Sequence, residues 1–263
     1  NREDLYVYTE EVLMSNCKSS SKFFFLLGLT KLISSKWPVI PEDFKMRNRQ
    51  SLITFISQPY DPSNQSTLSE AFSALCEILK FDLDKNWPDF FDVFFSFTSN
   101  SPINGLNFLS YFASEIMSDT ENLMTSNKAS ELMWICTDQI DRILSFGFSI
   151  LQQNTNDALI IKSALPLFSI LVTWIPAKAF QSPIFNLITT VFINDPKYAL
   201  ESCEVLIEFL RTINAFPEFV GNASQFFNMI IETLHNLCGG DYLSFPYRIA
   251  NMFLNMMDKC LTN

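Results

Sequence analysis

The sequence predicts an all-α protein in which antiparallel helix pairs stack side by side into a superhelix. Three observations predict it. The 263 residues include only 6 glycines and 27 phenylalanines, a composition that favours ordered helices. Apolar residues recur at helical spacing, as in Leu68, Phe72, Leu75 and Leu79, whereas the alternation typical of strands does not recur. Turn-forming residues interrupt this pattern at short intervals, which predicts helices of ordinary length joined by short turns.

The interruptions predict about twelve helices. Their predicted ranges are 3–17, 19–36, 42–57, 65–81, 88–98, 103–118, 128–153, 157–174, 177–192, 196–213, 217–237 and 241–261. Two helices in every 40–50 residues or so is the period of HEAT-type repeats. The predicted fold is therefore an α-solenoid of about six HEAT-type antiparallel helix pairs, in which each pair buries its apolar face only against its neighbours.

Tryptophan–proline steps mark three of the predicted joints. Trp37-Pro38, Trp87-Pro88 and Trp174-Ile175-Pro176 each end one predicted helix and open the next. Proline in a first helical turn removes no helical hydrogen bond, and tryptophan offers a large ring to bury between repeats. We interpret Trp37, Pro38, Trp87, Pro88, Trp174 and Pro176 as structural joints, with direct partner contact as the alternative.

Charge and hydropathy exclude several classes of partner. The formal net charge of −10 disfavours nucleic acid and anionic membranes, both of which require clustered lysine and arginine, whereas a basic protein partner is compatible with it. The most apolar segment, 164–177, is too short for a membrane-spanning helix, so no membrane insertion is expected. Because the first residue is Asn1 rather than methionine, we expect a piece of a longer chain.

The sequence contains no recognisable catalytic or metal-binding pattern. The six cysteines form no CxxC pair, so we expect reduced and mostly buried thiols. The single histidine, His235, has no nucleophile that the sequence pattern pairs with it. We interpret the carboxylate pairs Glu10-Glu11 and Asp82/Asp84 as solvated helix faces. No catalytic residue, no metal ligand and no cofactor is predicted.

Three motifs carry a family resemblance. They are residues 20–41 (SSKFFFLLGLTKLISSKWPVIP), 85–91 (KNWPDFF) and 171–177 (LVTWIPA). In this order and spacing they resemble the N-terminal import/export region of the exportin 1 type of leucine-rich-signal nuclear exportins, in the karyopherin or importin-β superfamily. The chain departs from the family pattern where Phe81-Asp82-Leu83 replaces a further Trp-Pro, and in carrying Gly28 in mid-helix. The resemblance implies one HEAT-repeat array over 1–263, with the end of the Ran-binding region at 1–60 and exportin-1-like repeats at 61–263.

The resemblance also implies a function. It is that of a transport receptor that binds Ran-GTP, loads cargo bearing a leucine-rich signal cooperatively, contacts Phe-Gly nucleoporins, and shuttles between nucleus and cytoplasm. The cargo groove of the family lies outside this chain, so no cargo residue is assigned. The implied Ran-facing wall consists of Leu27, Thr30, Lys31, Ser34, Ser73, Glu77, Lys80, Asn107, Ser110 and Ser114. The alternative for these residues is an ordinary solvated helix face.

Two other functions remain open at this stage. One is another karyopherin, either an importin or an exportin of tRNA or microRNA precursors, although an RNA exportin should have a basic inner wall. The other is a HEAT scaffold unrelated to transport, such as a regulatory subunit of a phosphatase or kinase. Uneven helix lengths, including a long predicted helix at 128–153, favour the karyopherin. An enzyme that depends on His235 is a distant third.

Overall fold

The described part of the chain is all-α. A computed structural model describes residues 2–122, 126–212 and 221–238, together with the single residues 247, 250, 251 and 254; side chains 2–3, 117–129 and 238 are outside this description. These residues form thirteen α-helices and four short 3₁₀-helices, with no β-strand among them. The predicted fold class, an all-α HEAT-like fold, is confirmed. The predicted helix 241–261 and the start of the predicted helix 217–237 lie largely outside the described residues.

The chain divides into two compact units, at residues 1–139 and 140–263. Unit 1 begins with a 3₁₀-helix, Arg2–Tyr8, and its α-helices are α1 (Thr9–Met14), α2 (Ser19–Lys36), α3 (Glu42–Ile56), α4 (Gln65–Asp82), α5 (Phe90–Thr98), α6 (Pro102–Asn122) and α7 (Ser126–Asp138). Unit 2 contains α8 (Ile140–Gln153), α9 (Ala158–Trp174), α10 (Pro176–Gln181), α11 (Pro183–Thr190), α12 (Ala199–Thr212) and α13 (Ala223–Cys238).

The first six helices of unit 1 form two layers. Helix α4 packs between α2 and α6, and α3 packs between α1 and α5. Contacts between α1 and α2, α3 and α4, and α5 and α6 join the layers. Alternate helices of the chain therefore lie in the same layer, which is the packing that stacked helix pairs produce.

Phenylalanine rings fill the core between α4, α5 and α6. Phe108 of α6 is fully buried, and its ring centroid lies 4.8 Å from that of Phe94, 5.7 Å from that of Phe72 and 5.8 Å from that of Phe112. Phe90 lies 5.1 Å from Trp87 and 5.4 Å from Phe94. Edge-to-face and tilted pairs at these separations add stabilisation to the burial of the rings. The aromatic run after Trp87-Pro88 thus packs α5 against its neighbours.

Gly28 in α2 has a steric explanation. A Cβ atom built on Gly28 would lie 2.9 Å from Cδ1 of Leu5, closer than carbon atoms pack. The absence of a side chain at this position lets the N-terminal 3₁₀-helix lie against α2, and the contacts between the two elements agree with this. A residue with a Cβ atom would have to displace the end of the Leu5 side chain, which is one reason for a glycine here despite its low helix propensity.

Two predicted helices are each broken in two. The predicted helix 128–153 ends at Asp138 and restarts at Ile140, and the backbone N–H of Gln139 between them is shared by the carbonyls of Ile135 and Cys136, at 3.2 and 3.1 Å. The predicted helix 177–192 breaks at Ser182, whose extended backbone caps α11, with Pro183 in the first turn. The prediction of one continuous helix was wrong in both places. The break at Ser182 could have been predicted, because a serine followed by proline is a helix-start signal. The break at Gln139 has no such signal, since residues 135–140 contain neither glycine nor proline.

Unit 2 packs around α9 and α12. Helix α12 contacts both α9 and α13, and α9 also contacts α8 and α10. Phe185 of α11 lies 5.1 Å from Phe209 of α12 and 5.5 Å from Phe226 of α13, measured between ring centroids. Pro166 interrupts the hydrogen bonding of α9 on its exposed side, where solvent can take over the lost interaction.

Unit 2 offers a matched pair of serine substitutions. Ser202 in α12 is fully buried, and its hydroxyl has no hydrogen-bond partner among the described residues. The Ser182 hydroxyl donates to the carbonyl of Ala179 at 2.7 Å and accepts from the backbone N–H of Phe185 at 3.3 Å. We expect Ser202→Ala to be neutral or to stabilise unit 2 by up to about 1 kcal/mol, since an unpaired buried hydroxyl is removed. Ser182→Ala should cost about 1 kcal/mol through loss of the cap.

Urea unfolding of the two variants followed by circular dichroism measures both changes. A loss of stability in Ser202→Ala as large as that in Ser182→Ala would contradict the prediction.

Candidate partner-binding surface

Hydrogen bonds and an ion pair link polar side chains across the three helices of the α2/α4/α6 layer. The Ser34 hydroxyl of α2 donates to Glu77 Oε2 of α4 at 2.7 Å. Lys80 Nζ donates to Glu77 Oε1 at 2.8 Å and lies 3.7 Å from Glu115 Oε2 of α6. We call these four residues the polar bridge. Their mutual bonds hold long side chains in one arrangement at the surface, and Glu115, at 36 % exposure, is the most open of the three charged side chains.

A polar cleft lies between α4 and α6 in the same layer. It has a volume of about 300 Å³ and is lined by Tyr60, Gln65, Leu68, Ser69, Phe72, Asn107, Ser110, Tyr111 and Ser114. Partial burial raises the pKa of Tyr111 above its ordinary value; the Ser73 hydrogen bond opposes the shift and the Glu115 carboxylate adds to it. Tyr111 therefore keeps its proton at neutral pH. The cleft offers hydroxyl and amide groups to a polar partner.

The predicted stripe of α2 borders two features, the polar bridge and a groove. Ser34 joins the polar bridge, and the Thr30 hydroxyl donates to the Leu26 carbonyl at 2.9 Å. Leu27 and Lys31 instead line a groove of about 680 Å³ beside the N-terminal 3₁₀-helix; its other lining residues are Leu5, Phe24, Phe25, Gly28, Leu32, Ser35 and Lys36. The ten predicted wall residues thus belong to the helices of one layer, and Leu27 and Lys31 also line this groove.

The first two tryptophan–proline joints meet at one buried carboxylate. Asp82 Oδ2 accepts from Trp37 Nε1 at 2.8 Å and from Arg49 Nε and Nη2 at 3.0 and 2.6 Å, while Asp82 Oδ1 accepts from Asn86 Nδ2 at 3.2 Å. The Arg49 guanidinium lies 5.5 Å from the ring centroid of Trp87. This arrangement, which we call the Asp82 cluster, ties α3 to the ends of α2 and α4. The interpretation of Asp82 as part of a solvated face was wrong, since only 1 % of its side chain is exposed.

The six joint residues differ in burial. Trp37 and Trp87 are buried, whereas Pro38 and Pro88 beside them are exposed. At the third joint the order is reversed, because Trp174 is only half-buried and Pro176, in the first turn of α10, is buried. The role of all six as joints stays a prediction, with the Asp82 cluster giving a physical basis for the first two.

The other candidate groups have simple environments. Glu10 and Glu11 are exposed, in agreement with a solvated face. His235 is exposed on α13. In the part of the chain that the structure describes, no three histidine, cysteine or acidic side chains are arranged to hold a metal ion. None of the described helices combines the length and the hydropathy that crossing a membrane requires.

The described cysteines divide into one exposed and three buried thiols. Cys17 is exposed, and Cys76, Cys136 and Cys203 are buried. Burial raises the pKa of Cys136 and Cys203 to about 12 and raises that of Cys76 well above its ordinary value. We expect iodoacetamide at pH 7.5 to label Cys17 in the native protein and to label the three buried thiols only after unfolding, because the thiolate is the reactive form. Peptide mass spectrometry measures this.

The raised thiol pKa values also predict an alkaline loss of stability. An unfolded cysteine titrates near pH 9.0, below the native value of about 12 for Cys136 and Cys203. The two thiols therefore contribute their full stabilisation below about pH 9 and lose it as the pH rises towards about 12. Between pH 8.5 and 10.5, the free energy of unfolding should fall less steeply in a Cys136→Ala/Cys203→Ala variant than in the wild type. Equal slopes would contradict the prediction.

The fold and the polar layer define an all-α helical-repeat protein of the HEAT-like class. A family model described as "Exportin 1-like protein" matches residues 66–206, more than half of the chain. The chain therefore belongs to the exportin 1-like family, a karyopherin family of transport receptors in nuclear export. The resemblance that the three motifs indicate is confirmed.

A curated relative agrees with the family assignment. The chain is 23 % identical over 243 residues to Exportin-1 of Schizosaccharomyces pombe (strain 972). The match covers 89 % of this chain and 22 % of the relative, so the chain spans about a fifth of the length of that protein.

Sequence reasoning missed three groups at the surface and joints. Glu115 and Tyr111 of α6 complete the polar layer, and Arg49 of α3 completes the Asp82 cluster. Tyr111 and Glu115 lie four and eight residues after Asn107, so extending the stripe along α6 would have found them. Arg49 lies 33 residues from Asp82, and no local pattern connects the two.

Proposed function

We propose that this chain is part of a nuclear export receptor and that it binds the GTP-bound form of Ran on the α2/α4/α6 layer. In this proposal the receptor carries cargo with a leucine-rich signal, contacts Phe-Gly nucleoporins and shuttles between nucleus and cytoplasm. Family membership supports the receptor class. The observation that carries the choice of surface is the polar bridge, which links a hydroxyl of α2 to charged side chains of α4 and α6.

The polar bridge is suited to a protein partner with mixed charge. Lys80 approaches two carboxylates, and each carboxylate oxygen has a second lone pair to accept from a basic side chain of the partner. Because the bridge holds Glu77 and Lys80 in one arrangement already, less side-chain freedom is lost when the partner binds. The neighbouring polar cleft adds hydroxyl and amide groups without a further charge to desolvate.

Preference for one nucleotide state requires a difference in affinity. A receptor distinguishes Ran-GTP from Ran-GDP only if the surface contacts a segment that differs between the two forms. Cargo loading coupled to Ran binding is a coupling free energy between two surfaces, and such couplings typically change affinity by about 5–150-fold. A chain of stacked helix pairs can carry this coupling as a change in helix packing.

A charge-exchange variant tests the proposed surface. Glu77→Lys/Lys80→Glu keeps the net charge and reverses the pattern of the polar bridge. We expect it to weaken binding of Ran loaded with a non-hydrolysable GTP analogue by about tenfold or more, as expected when a charged contact is made repulsive. Fluorescence anisotropy with labelled Ran, in parallel for the GDP form, measures the effect.

Two matched controls exchange charges elsewhere. Lys162→Glu/Glu201→Lys swaps an exposed ion pair of unit 2, at 3.3 Å, and should leave the affinity within about twofold. Asp43→Lys/Arg47→Glu swaps exposed charges on α3, in the other layer of unit 1. A loss of affinity confined to the α3 variant would overturn the choice of surface. Equal binding of the GTP and GDP forms by the wild type would overturn the Ran proposal, as a HEAT scaffold unrelated to transport predicts.

A further inference from the structure

Helix α7 carries an exposed tryptophan. The side chain of Trp134 is 71 % exposed, whereas Trp37 and Trp87 in the same unit are 1 % and 8 % exposed. The other side of α7 is anchored in the core, with Leu132 and Cys136 buried. An indole ring on the outer side of an anchored helix contributes little to the folding of that helix, and tryptophan is the residue type most enriched at the centres of protein interfaces.

Two carboxylates flank Trp134 on the same face of α7. Glu131 lies three residues before it and Asp138 four residues after it, the spacings at which helical side chains are neighbours. Both are exposed. Neither takes part in a salt bridge among the described residues, and the hydrogen bond recorded for Asp138 is a long one of 3.4 Å from Gln139 Nε2. The face therefore presents an aromatic plane between two negative charges that are open to a partner.

This combination matches the chemistry of a guanidinium group. Arginine stacks on an aromatic plane through its delocalised positive charge, and its five N–H donors bond to carboxylates beside the ring. A lysine ammonium is more strongly hydrated and stacks less well. An uncharged aromatic peptide would bury the indole but leave both carboxylates without a partner.

We propose that the exposed face of α7, formed by Glu131, Trp134 and Asp138, is a docking site for an arginine-bearing segment of a partner protein. The inference goes beyond the Ran surface, since it uses a different helix and none of the polar-bridge residues. Charge complementarity supports the proposal in two ways. The two carboxylates form no salt bridge among the described residues, and the net charge of −10 attracts basic segments.

A peptide titration tests the proposal. The probe is a fluorescein-labelled 12-residue peptide of glycine, serine and four arginines, with lysine, glutamate and Phe-Gly versions as comparisons. We expect the arginine peptide to bind more tightly than the lysine peptide by about threefold, and the glutamate and Phe-Gly peptides to bind at least about tenfold more weakly. Added salt should weaken the arginine complex. A change in tryptophan emission on peptide binding that the wild type shows and Trp134→Phe lacks reports occupancy at the site.

Matched variants separate the site from general attraction. Trp134→Ala should weaken binding of the arginine peptide by about tenfold and Trp134→Phe by less, because phenylalanine keeps an aromatic plane. Phe24→Ala, at another exposed aromatic residue with 69 % exposure, should have no effect. Glu131→Lys/Asp138→Lys should abolish binding, while Glu201→Lys/Glu208→Lys makes the same charge change at the same spacing on α12 and should retain it.

Three results would overturn the proposal. They are wild-type affinity in Trp134→Ala, equal losses in the α7 and α12 charge variants, and binding of the Phe-Gly peptide as tight as that of the arginine peptide. Wild-type affinity in Trp134→Ala would mean that the indole is not part of the site. Equal losses in the two charge variants would mean that only net charge matters, and tight binding of the Phe-Gly peptide would mean that the surface binds apolar groups. Binding of Ran-GTP by Trp134→Ala should stay unchanged, which keeps this test separate from that of the Ran surface.

Discussion

Replacing Asp82 with alanine should lower the free energy of unfolding of unit 1 by about 3–5 kcal/mol. The substitution leaves the Arg49 guanidinium, which is 9 % exposed, without its principal counter-charge. It also removes the acceptor of the Trp37 indole N–H. A buried charge without a counter-charge destabilises the folded state by more than the intact ion pair stabilises it. Removing one partner therefore has a large effect on the free energy of unfolding. The contact of Arg49 with Glu42 at 3.2 Å offsets only part of the loss, because Glu42 is exposed.

The neighbouring aspartate provides the control. Asp84 lies two residues away and forms a contact of 3.7 Å with the exposed Lys85. Asp84→Ala should therefore cost less than about 1 kcal/mol. Urea unfolding followed by the fluorescence of the tryptophans, three of whose four positions lie in unit 1, compares the variants. Similar small losses in Asp82→Ala and Asp84→Ala would mean that the Asp82 cluster does not hold the joint.

A double substitution sharpens the test of the Asp82 cluster. Asp82→Leu combined with Arg49→Met replaces both charges by apolar groups of similar size, so no buried charge is left without a partner. The double variant should be more stable than Asp82→Leu alone, and the difference from additivity measures the interaction between the two side chains. Additive losses would show that the two residues act independently.

Replacing Phe108 with alanine should cost about 3–5 kcal/mol. Phe108 is fully buried and its ring lies within 4.8–6.1 Å of four other phenylalanine rings of α4, α5 and α6, measured between centroids. Truncation leaves a cavity that three helices would have to close together, so relaxation can recover little of the lost contact. Phe108→Leu keeps most of the volume and should cost about 1.5 kcal/mol or less.

An exposed phenylalanine controls for the loss of an aromatic residue as such. Phe24→Ala at the surface of α2 should change the free energy of unfolding by less than about 0.5 kcal/mol. Thermal and urea unfolding of the three phenylalanine variants measures the series. Equal effects at Phe108 and Phe24 would contradict the placement of Phe108 in the core.

The helices could be predicted because their signals are local. The spacing of apolar residues and the flanking breaks predict both ends of α2 correctly. Both ends of α3, α4 and α9 lie within one residue of the predicted ends. The division of 128–153 at Gln139 could not be predicted in this way, because the break depends on a shared backbone hydrogen bond and coincides with the boundary between the two units. Residues 135–140 include neither glycine nor proline, so the local pattern contains no sign of the break.

The candidate site shows the same limit. Helical spacing predicts that Ser34, Glu77 and Lys80 lie on exposed faces, and these residues meet in one hydrogen-bonded group. The same spacing assigns Leu27 and Lys31 to that face, and the groove that they line also includes Leu5 of the N-terminal 3₁₀-helix, which no local pattern indicates. Asp82 was interpreted as solvated because carboxylate pairs are common in an acidic chain, and only the distant Arg49 and Trp37 explain its burial. The sequence predicts which residues share a helix face, whereas the fold determines which other element packs against that face.

Hydrogen exchange in the presence of Ran tests the central claim most directly. Deuterium uptake is measured by mass spectrometry for the chain alone, with Ran bound to a non-hydrolysable GTP analogue, and with Ran-GDP. The proposed function predicts slower uptake in peptides covering the exposed faces of α2, α4 and α6 with the GTP form, and no change with the GDP form. Slower uptake confined to α1, α3 and α5, or the same result with both forms of Ran, would contradict it.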